Sequence, residues 1–311
     1  MASVLVTGAR GFLGRHLSRL LGGAGHRVFG IGHGAWTEDQ RAEWGVRSWF
    51  NGDVDRANIE SLIGRDEEID TVYHLAGGSS VGPSLAAPAE DFRRSVVATL
   101  ELLEWVRTSR SRPRVVLASS AAVYGNAFDR PINPSDPCDP GSPYGHHKWM
   151  AEQLLRNYSR NFGVNGAVLR LFSVYGPELR KQLLWDIATR VSNGPNSLLL
   201  GGTGEELRDW IHAADAARSL QQSAAAATTG CPVLHGATGH GVTVRNIAQR
   251  LCAHLGFDAS RIEFSGASRP GDPMRLVASP VGLIVAPEIA WTHGVESYAN
   301  WFRVHAMRGP A

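Results

Sequence analysis

Tyr144 and Lys148 stand four residues apart in SPYGHHKWMAE (142–152), directly after a proline that suits the first turn of a helix. Four residues is one helical turn, so the phenol and the ammonium share a face. An ammonium beside a phenol favours the phenolate and lowers a pKa that starts near ~10, giving a proton donor and acceptor usable at neutral pH. Alone, the pair carries little weight, because Tyr-x-x-x-Lys arises by chance on many surface helices. Ser119 and Ser120 close the apolar run RVVLASS (114–120), and ligands of open α/β sheets bind beyond the carboxyl ends of strands. A hydroxyl there, with Tyr144, holds a carbinol or carbonyl oxygen by two hydrogen bonds.

VLVTGARGFLGRHLSRLL (4–21) supplies a site for a second reactant. A strand runs into Gly8, Gly11 and Gly14, and an amphipathic helix follows at once. Gly8 permits the tight turn, Gly11 lets the backbone approach a pyrophosphate, and Gly14 lets helix pack on strand. The helix N-terminus then presents N–H groups to the phosphates of a dinucleotide. Where the second strand closes, an acidic residue would grip a ribose 2′-hydroxyl, but VFGIGHG offers Gly32 and His33. Arg10 and His33 would instead meet a 2′-phosphate, which tilts the expectation from NAD(H) towards NADP(H); NAD bound without this carboxylate is the alternative. Asp53, after the third strand, would accept from an adenine amino group, although a solvated loop aspartate fits nearly as well. With glycine loop, strand-end serine and Tyr-x-x-x-Lys in this order, Tyr144 takes the hydroxyl proton as hydride passes from substrate carbon to a nicotinamide. Lys148 lowers the Tyr144 pKa and bonds the nicotinamide ribose.

The elements that must position these groups follow from the rest of the pattern. SVLVT (3–7), HRVFGI (26–31), VRSWF (46–50), TVYHLA (71–76), RVVLASS (114–120) and GAVLRLF (166–172) read as buried strands. Helical stretches at 12–22, 88–108 and 144–162 lie between them. Such alternation predicts an α/β fold, a doubly wound parallel (Rossmann) sheet. After residue 173 shorter pieces take over, with helices at 213–226 and, capped by Thr243, at 243–254. The expected division is a dinucleotide-binding domain at 1–172 and a smaller mixed α/β substrate lobe at 173–311, with some exchange between them. A formal charge of +2 gives no reason to expect nucleic acid. No apolar run approaches the ~18 residues of a membrane helix. Three scattered cysteines suggest a reducing compartment, and His146 and His147 lack a carboxylate at ligand spacing, so a cytoplasmic, metal-free protein is expected. The nine tryptophans read mostly as packing, with Trp185 a minor candidate for a sugar pocket.

TGARGFLG (7–14), GDV (52–54), HLAG (74–77), SSAAVYG (119–125), YGHHK (144–148) and LRLFSVYGP (169–177) together resemble the extended short-chain dehydrogenase/reductases, the NAD(P)-dependent epimerases and dehydratases of nucleotide sugars. LRDWIHAADAA (207–217) and RPGDP (269–273) continue the match over nearly the whole chain. The resemblance implies that Ser120, Tyr144 and Lys148 are catalytic. It also implies that Phe12, Leu13, Val54, Leu75, Ala76 and Gly77 join the glycines, Arg10, His33 and Asp53 around the cofactor. Arg208 corresponds to the family's diphosphate-binding arginine, a bidentate partner for a nucleotide diphosphate. Ser173, Gln182 and Asp272 match weaker substrate positions, where a structural role in a loop fits equally. The sugar 4,6-dehydratases carry acidic residues directly after the catalytic hydroxyl, whereas Ala121 and Ala122 stand here. Methyl groups do no acid/base work, so the expected activity is 4-epimerisation of a nucleotide-diphosphate sugar. A 4-keto-6-deoxysugar reductase using NADPH is the nearest alternative, and a non-catalytic NADP(H) sensor is a third. Relatives often pair through a four-helix bundle made from the helices at 88–108 and 144–162, which implies a homodimer.

Overall fold

The computed structural model describes residues 1–64, 67–267 and 273–305. The first half alternates β1 (Ser3–Thr7), α1 (Phe12–Gly23), β2 (Arg27–Gly32), α2 (Glu38–Glu43), β3 (Val46–Asn51), α3 (Arg56–Ile63) and β4 (Thr71–His74). It continues through α4 (Val81–Ala86), α5 (Pro88–Phe92), α6 (Ala98–Thr108), β5 (Arg114–Ser120), α7 (Pro143–Phe162) and β6 (Gly166–Leu171). Every residue of β1, β4 and β6 is buried, as parallel strands covered on both faces require. Successive side chains alternate across the sheet. Leu5 joins a core with Leu103 of α6 and Leu155 of α7, while Val4 and Val6 meet Leu17 of α1 on the other face.

The second half adds β7 (Ser173–Tyr175), α8 (Gln182–Ser192), β8 (Leu198–Leu200), β9 (Leu207–His212), α9 (Ala213–Ala226), β10 (Val233–Gly236) and β11 (Gly241–Thr243). It ends with α10 (Val244–Leu255), β12 (Ile262–Phe264), β13 (Arg275–Leu276) and α11 (Trp291–His305). The main sheet is parallel throughout, in the order β10–β6–β5–β4–β1–β2–β3. Residues beyond 172 therefore return to it: β10 pairs with β6, and α9 packs Leu220 into the core beneath α1. The remaining strands gather around β9, which pairs with β7, β11 and β13, and in the separate pair β8–β12. Helices α8, α10 and α11 bury Ile187, Leu251 and Tyr298 in a further core.

Several boundaries differ from those the sequence predicts. Strand β4 stops at His74: the Leu75 N–H is shared between the Thr7 carbonyl at 3.2 Å and Thr7 Oγ1 at 3.1 Å, and the Ala76 N–H donates to Thr7 Oγ1 at 3.0 Å. The stretch 88–108 is broken by a π-helical turn at 93–97 between α5 and α6. Strand β8 and helices α8 and α11 have no counterpart among the expected elements. Trp185 lies on α8 with its ring 5.4 Å from Phe302 and 6.3 Å from Trp301. It packs against α11, as expected of most of the tryptophans, and is not among the residues that line the cleft described below, so the minor candidacy for a sugar pocket falls. No described helix is long and apolar enough to cross a membrane.

Candidate active site

A cleft of about 1340 Å³ opens along the carboxyl ends of β1, β2, β4 and β5 and continues over β7, α8 and β9. Gly8, Gly11, Phe12, Leu13, Gly14, His33, Asp53, Val54, Leu75, Ala76, Gly77, Ser120, Tyr144, Lys148, Ser173, Gln182 and Arg208 all line it. Arg10 does not: its exposed guanidinium lies across Gly34 at the rim, where a Cβ on that glycine would overlap it. Asp272 falls outside the described residues.

At one end the chain leaves β1 through Gly8, whose φ of +70° L side chains rarely adopt. Gly14 sits where α1 crosses this turn, and a Cβ there would overlap the Gly8 carbonyl. The first turn of α1 has no side-chain cap, whereas Thr37, Asp55, Ser142 and Thr243 cap α2, α3, α7 and α10. Orphan N–H groups facing a cleft, together with the positive end of the helix, suit pyrophosphate oxygens. The cradle therefore fits NAD(P). Below it, Thr7 Oγ1 lies 2.7 Å from His74 Nδ1, and His74 Nε2 lies 3.0 Å from Thr99 Oγ1. Burial pushes this imidazole down to about 3, so it stays neutral and ties the glycine turn to α6. At the far rim His33 Nε2 is 3.0 Å from Asp53 Oδ1. Both side chains of this pair are exposed and line the cleft.

The two strand-end serines divide. Ser119 Oγ turns inward and donates to Glu152 Oε1 at 2.5 Å. Ser120 faces the cleft, accepts the Ala122 N–H at 3.2 Å, and lies within hydrogen-bonding reach of the Tyr144 phenol. Helix α7 sets the other two groups. Ser142 accepts the Gly145 N–H at 3.2 Å, Pro143 occupies the first turn, and Tyr144 N donates to Ser84 Oγ at 3.1 Å. One turn on, Lys148 Nζ donates to the Ala118 carbonyl at 3.1 Å. Burial pushes the Lys148 ammonium down to about 8, while the carboxylates of Asp91 and Glu152 pull the other way.

The Tyr144 phenol departs from expectation. Its pKa is raised: burial outweighs the Ser120 hydrogen bond, and Asp91 adds to the rise. The neighbouring ammonium does not set the sign, because it donates to the Ala118 carbonyl and burial is the larger cause. Two buried pairs hold this wall. Arg170 donates to both Glu152 oxygens at 3.0 and 2.7 Å, and His147 Nδ1 lies 2.6 Å from Asp91 Oδ2. Glu152 stands four residues after Lys148, a spacing that could have drawn it from the sequence; Asp91 offered no such signal. Arg208 is buried at the opposite wall and donates to its neighbour's carbonyl at Leu207. Together the walls can bind a dinucleotide along the sheet edge, hold an alcohol oxygen between Ser120 and Tyr144, and receive an anionic group at Arg208.

Comparison with known proteins agrees with this geometry. The profile of the NAD dependent epimerase/dehydratase family matches residues 4–230. A UDP-glucose 4-epimerase of Azospirillum brasilense is 31% identical over 299 residues, covering 88% of this chain and 83% of the relative. Among solved structures, MoeE5 in complex with UDP-glucuronic acid and NAD superposes with a TM-score of 0.84 at 29% identity, covering 97% of this chain and 99% of that one. DesIV, a dTDP-glucose 4,6-dehydratase of Streptomyces venezuelae with NAD and TYD bound, gives 0.85 at 26% identity over 98% of both chains.

Proposed function

Because the chain belongs to the NAD dependent epimerase/dehydratase family and is an NAD(P)-dependent enzyme, we propose that it inverts C4 of a nucleotide-diphosphate sugar. The observation that carries this reading is one wall holding Ser120, Tyr144 and Lys148 with methyl groups at Ala121 and Ala122. Bound NAD(P) supplies a reversible hydride acceptor. Ser120 and Tyr144 hold the C4 oxygen, and the Tyr144 oxygen takes its proton and later returns it. Lys148 keeps positive charge beside the developing phenolate and offsets its burial. Residues 1–172, completed by α9 and β10, bind the dinucleotide, and the remaining residues of the second half bind the substrate, with Arg208 on the diphosphate and Ser173 and Gln182 on sugar or nucleotide. Epimerase relatives such as that of Azospirillum brasilense support this reading.

Nucleotide sugars of UDP, dTDP, GDP and CDP, incubated with the enzyme and each cofactor, test it by NMR. The C4 epimer should accumulate with no net change in nicotinamide absorbance. Stoichiometric oxidation of NADPH would instead make the protein a keto-sugar reductase. NADP(H) is expected to bind more tightly than NAD(H), because Arg10 lies at the end of β2, where Gly32 supplies no carboxylate. Tighter NAD binding in a dissociation-constant comparison rejects that preference. Two copies are expected to pair through α6 and α7, which expose Leu100 and Met150. A monomeric mass in light scattering at micromolar concentration rejects the dimer.

A further inference from the structure

The cations around the cleft differ in one respect. Arg93 and Arg94 pair with Glu90, Arg190 pairs with Asp186, and His33 pairs with Asp53. Lys148 is held by the Ala118 carbonyl. Lys181 lines the same cleft, and among the described residues it has no hydrogen-bond or ion-pair partner. It is only partly exposed, and burial alone pushes its ammonium below the ordinary lysine range. A desolvated charge without a partner is a cost that proteins avoid unless something else completes the pair.

The loop that leads into Lys181 is anchored at residues 177–180. His16 Nε2 lies 3.0 Å from the Pro177 carbonyl, and Glu178 takes Arg15 Nη1 and Trp301 Nε1, each at 2.9 Å. Leu179 is buried, and its carbonyl accepts the Tyr298 hydroxyl at 2.9 Å. The Arg180 guanidinium lies 5.5 Å from the centre of the Trp301 ring. The backbone then turns through a left-handed Gln182, φ +65°, into α8. Residues 177–180 each contact packed structure, and the Lys181 ammonium is left to the cleft.

We infer that Lys181 is a substrate-binding residue that ion-pairs with anionic oxygens of the nucleotide sugar, a second cationic contact beside Arg208. The inference rests on the nucleotide-sugar reading above. Two groups present the same chemistry: the diphosphate, and a carboxylate at C6 of a hexuronic acid. Lys181 has four carbons of reach and acts as a point charge suited to either.

Calorimetry of the cofactor-loaded enzyme separates them. Wild type is first titrated with UDP, dTDP, GDP and CDP. The tightest nucleotide is then compared with its neutral hexose and its hexuronate conjugates against wild type, Lys181→Met and Lys181→Arg. A loss of about 10- to 100-fold in Lys181→Met for all three ligands places the ammonium on the diphosphate. A loss confined to the hexuronate places it on the sugar carboxylate. In either case Lys181→Arg should recover most of the affinity. Unchanged NAD(P) affinity and melting temperature in Lys181→Met show that the fold is intact. Affinities within twofold of wild type for all three ligands overturn the inference and leave the nucleotide-sugar reading standing. If wild type binds none of the nucleotides or conjugates while still binding NAD(P), that reading falls and takes the inference with it.

Discussion

Replacing Lys148 with methionine should make the protein more stable and less active at once. Lys148 is 6% exposed, and its ammonium is pushed from 10.5 to about 8. The unfolded chain then holds its proton more tightly than the folded one, which corresponds to about 3 kcal/mol of folding free energy sacrificed at neutral pH. Losing the hydrogen bond to Ala118 takes back about 1 kcal/mol, so Lys148→Met should gain roughly 2 kcal/mol at pH 7. The sign determines the pH dependence. Below about 8 both folded and unfolded wild type carry the charge, and the penalty is complete. Between about 8 and 10.5 the folded lysine is neutral and the unfolded one is not, so wild type recovers stability as pH rises. Urea unfolding of both proteins at pH 7 and pH 10 measures this. The variant's advantage should be present at the lower pH and much reduced at the higher, while turnover is lost at both. A variant less stable than wild type at pH 7 would show that the ammonium is compensated within the fold and would refute the reasoning.

Tyr144→Phe should lower kcat by about 10²- to 10⁴-fold while NAD(P) affinity stays within about twofold, as single-turnover kinetics and cofactor titration would show. Glu152→Ala strands Arg170, which is 3% exposed, and should cost about 3–5 kcal/mol, read as a lower urea midpoint. Gly14→Ala drives a methyl into the Gly8 carbonyl and should weaken NAD(P) binding by about tenfold or more. On the same helix Gly23→Ala meets nothing within 4 Å and should be neutral or stabilising by up to about 1 kcal/mol.

The doubly wound half of the molecule was open to reading because its strands are buried on both faces and therefore spell apolar runs such as SVLVT and RVVLASS. The glycine turn was equally plain, since Gly8 and Gly14 answer to steric demands that only glycine meets. The second half was not, because β8, β11, β12 and β13 have three residues or fewer. A period of two cannot be established over so short a length. Helix α11 has no counterpart among the expected helices, although its buried Val295, Tyr298, Ala299 and Phe302 follow the helical repeat. Side-chain direction was also beyond the sequence. Position at a strand end does not separate Ser119 from Ser120, and only the family resemblance singles out Ser120; pleating sends Ser119 to Glu152 and Ser120 to the cleft. Spacing alone predicted that Lys148 would acidify Tyr144, whereas burial, invisible from the spacing, decided the direction.

The return of β10 to the edge of the main sheet has a practical meaning for anyone dividing the protein. A fragment ending at residue 172 would contain the whole glycine cradle, Ser120, Tyr144 and Lys148, and would look self-sufficient. Its last strand, β6, would nevertheless show water a bare row of amide and carbonyl groups where Val233–Gly236 belongs, with the Leu220 side of the core stripped of α9. Such a sticky border recruits strands from other molecules. A truncated gene would therefore yield aggregate, and a separable nucleotide-binding piece must carry the segment 213–236 back by fusion or co-expression.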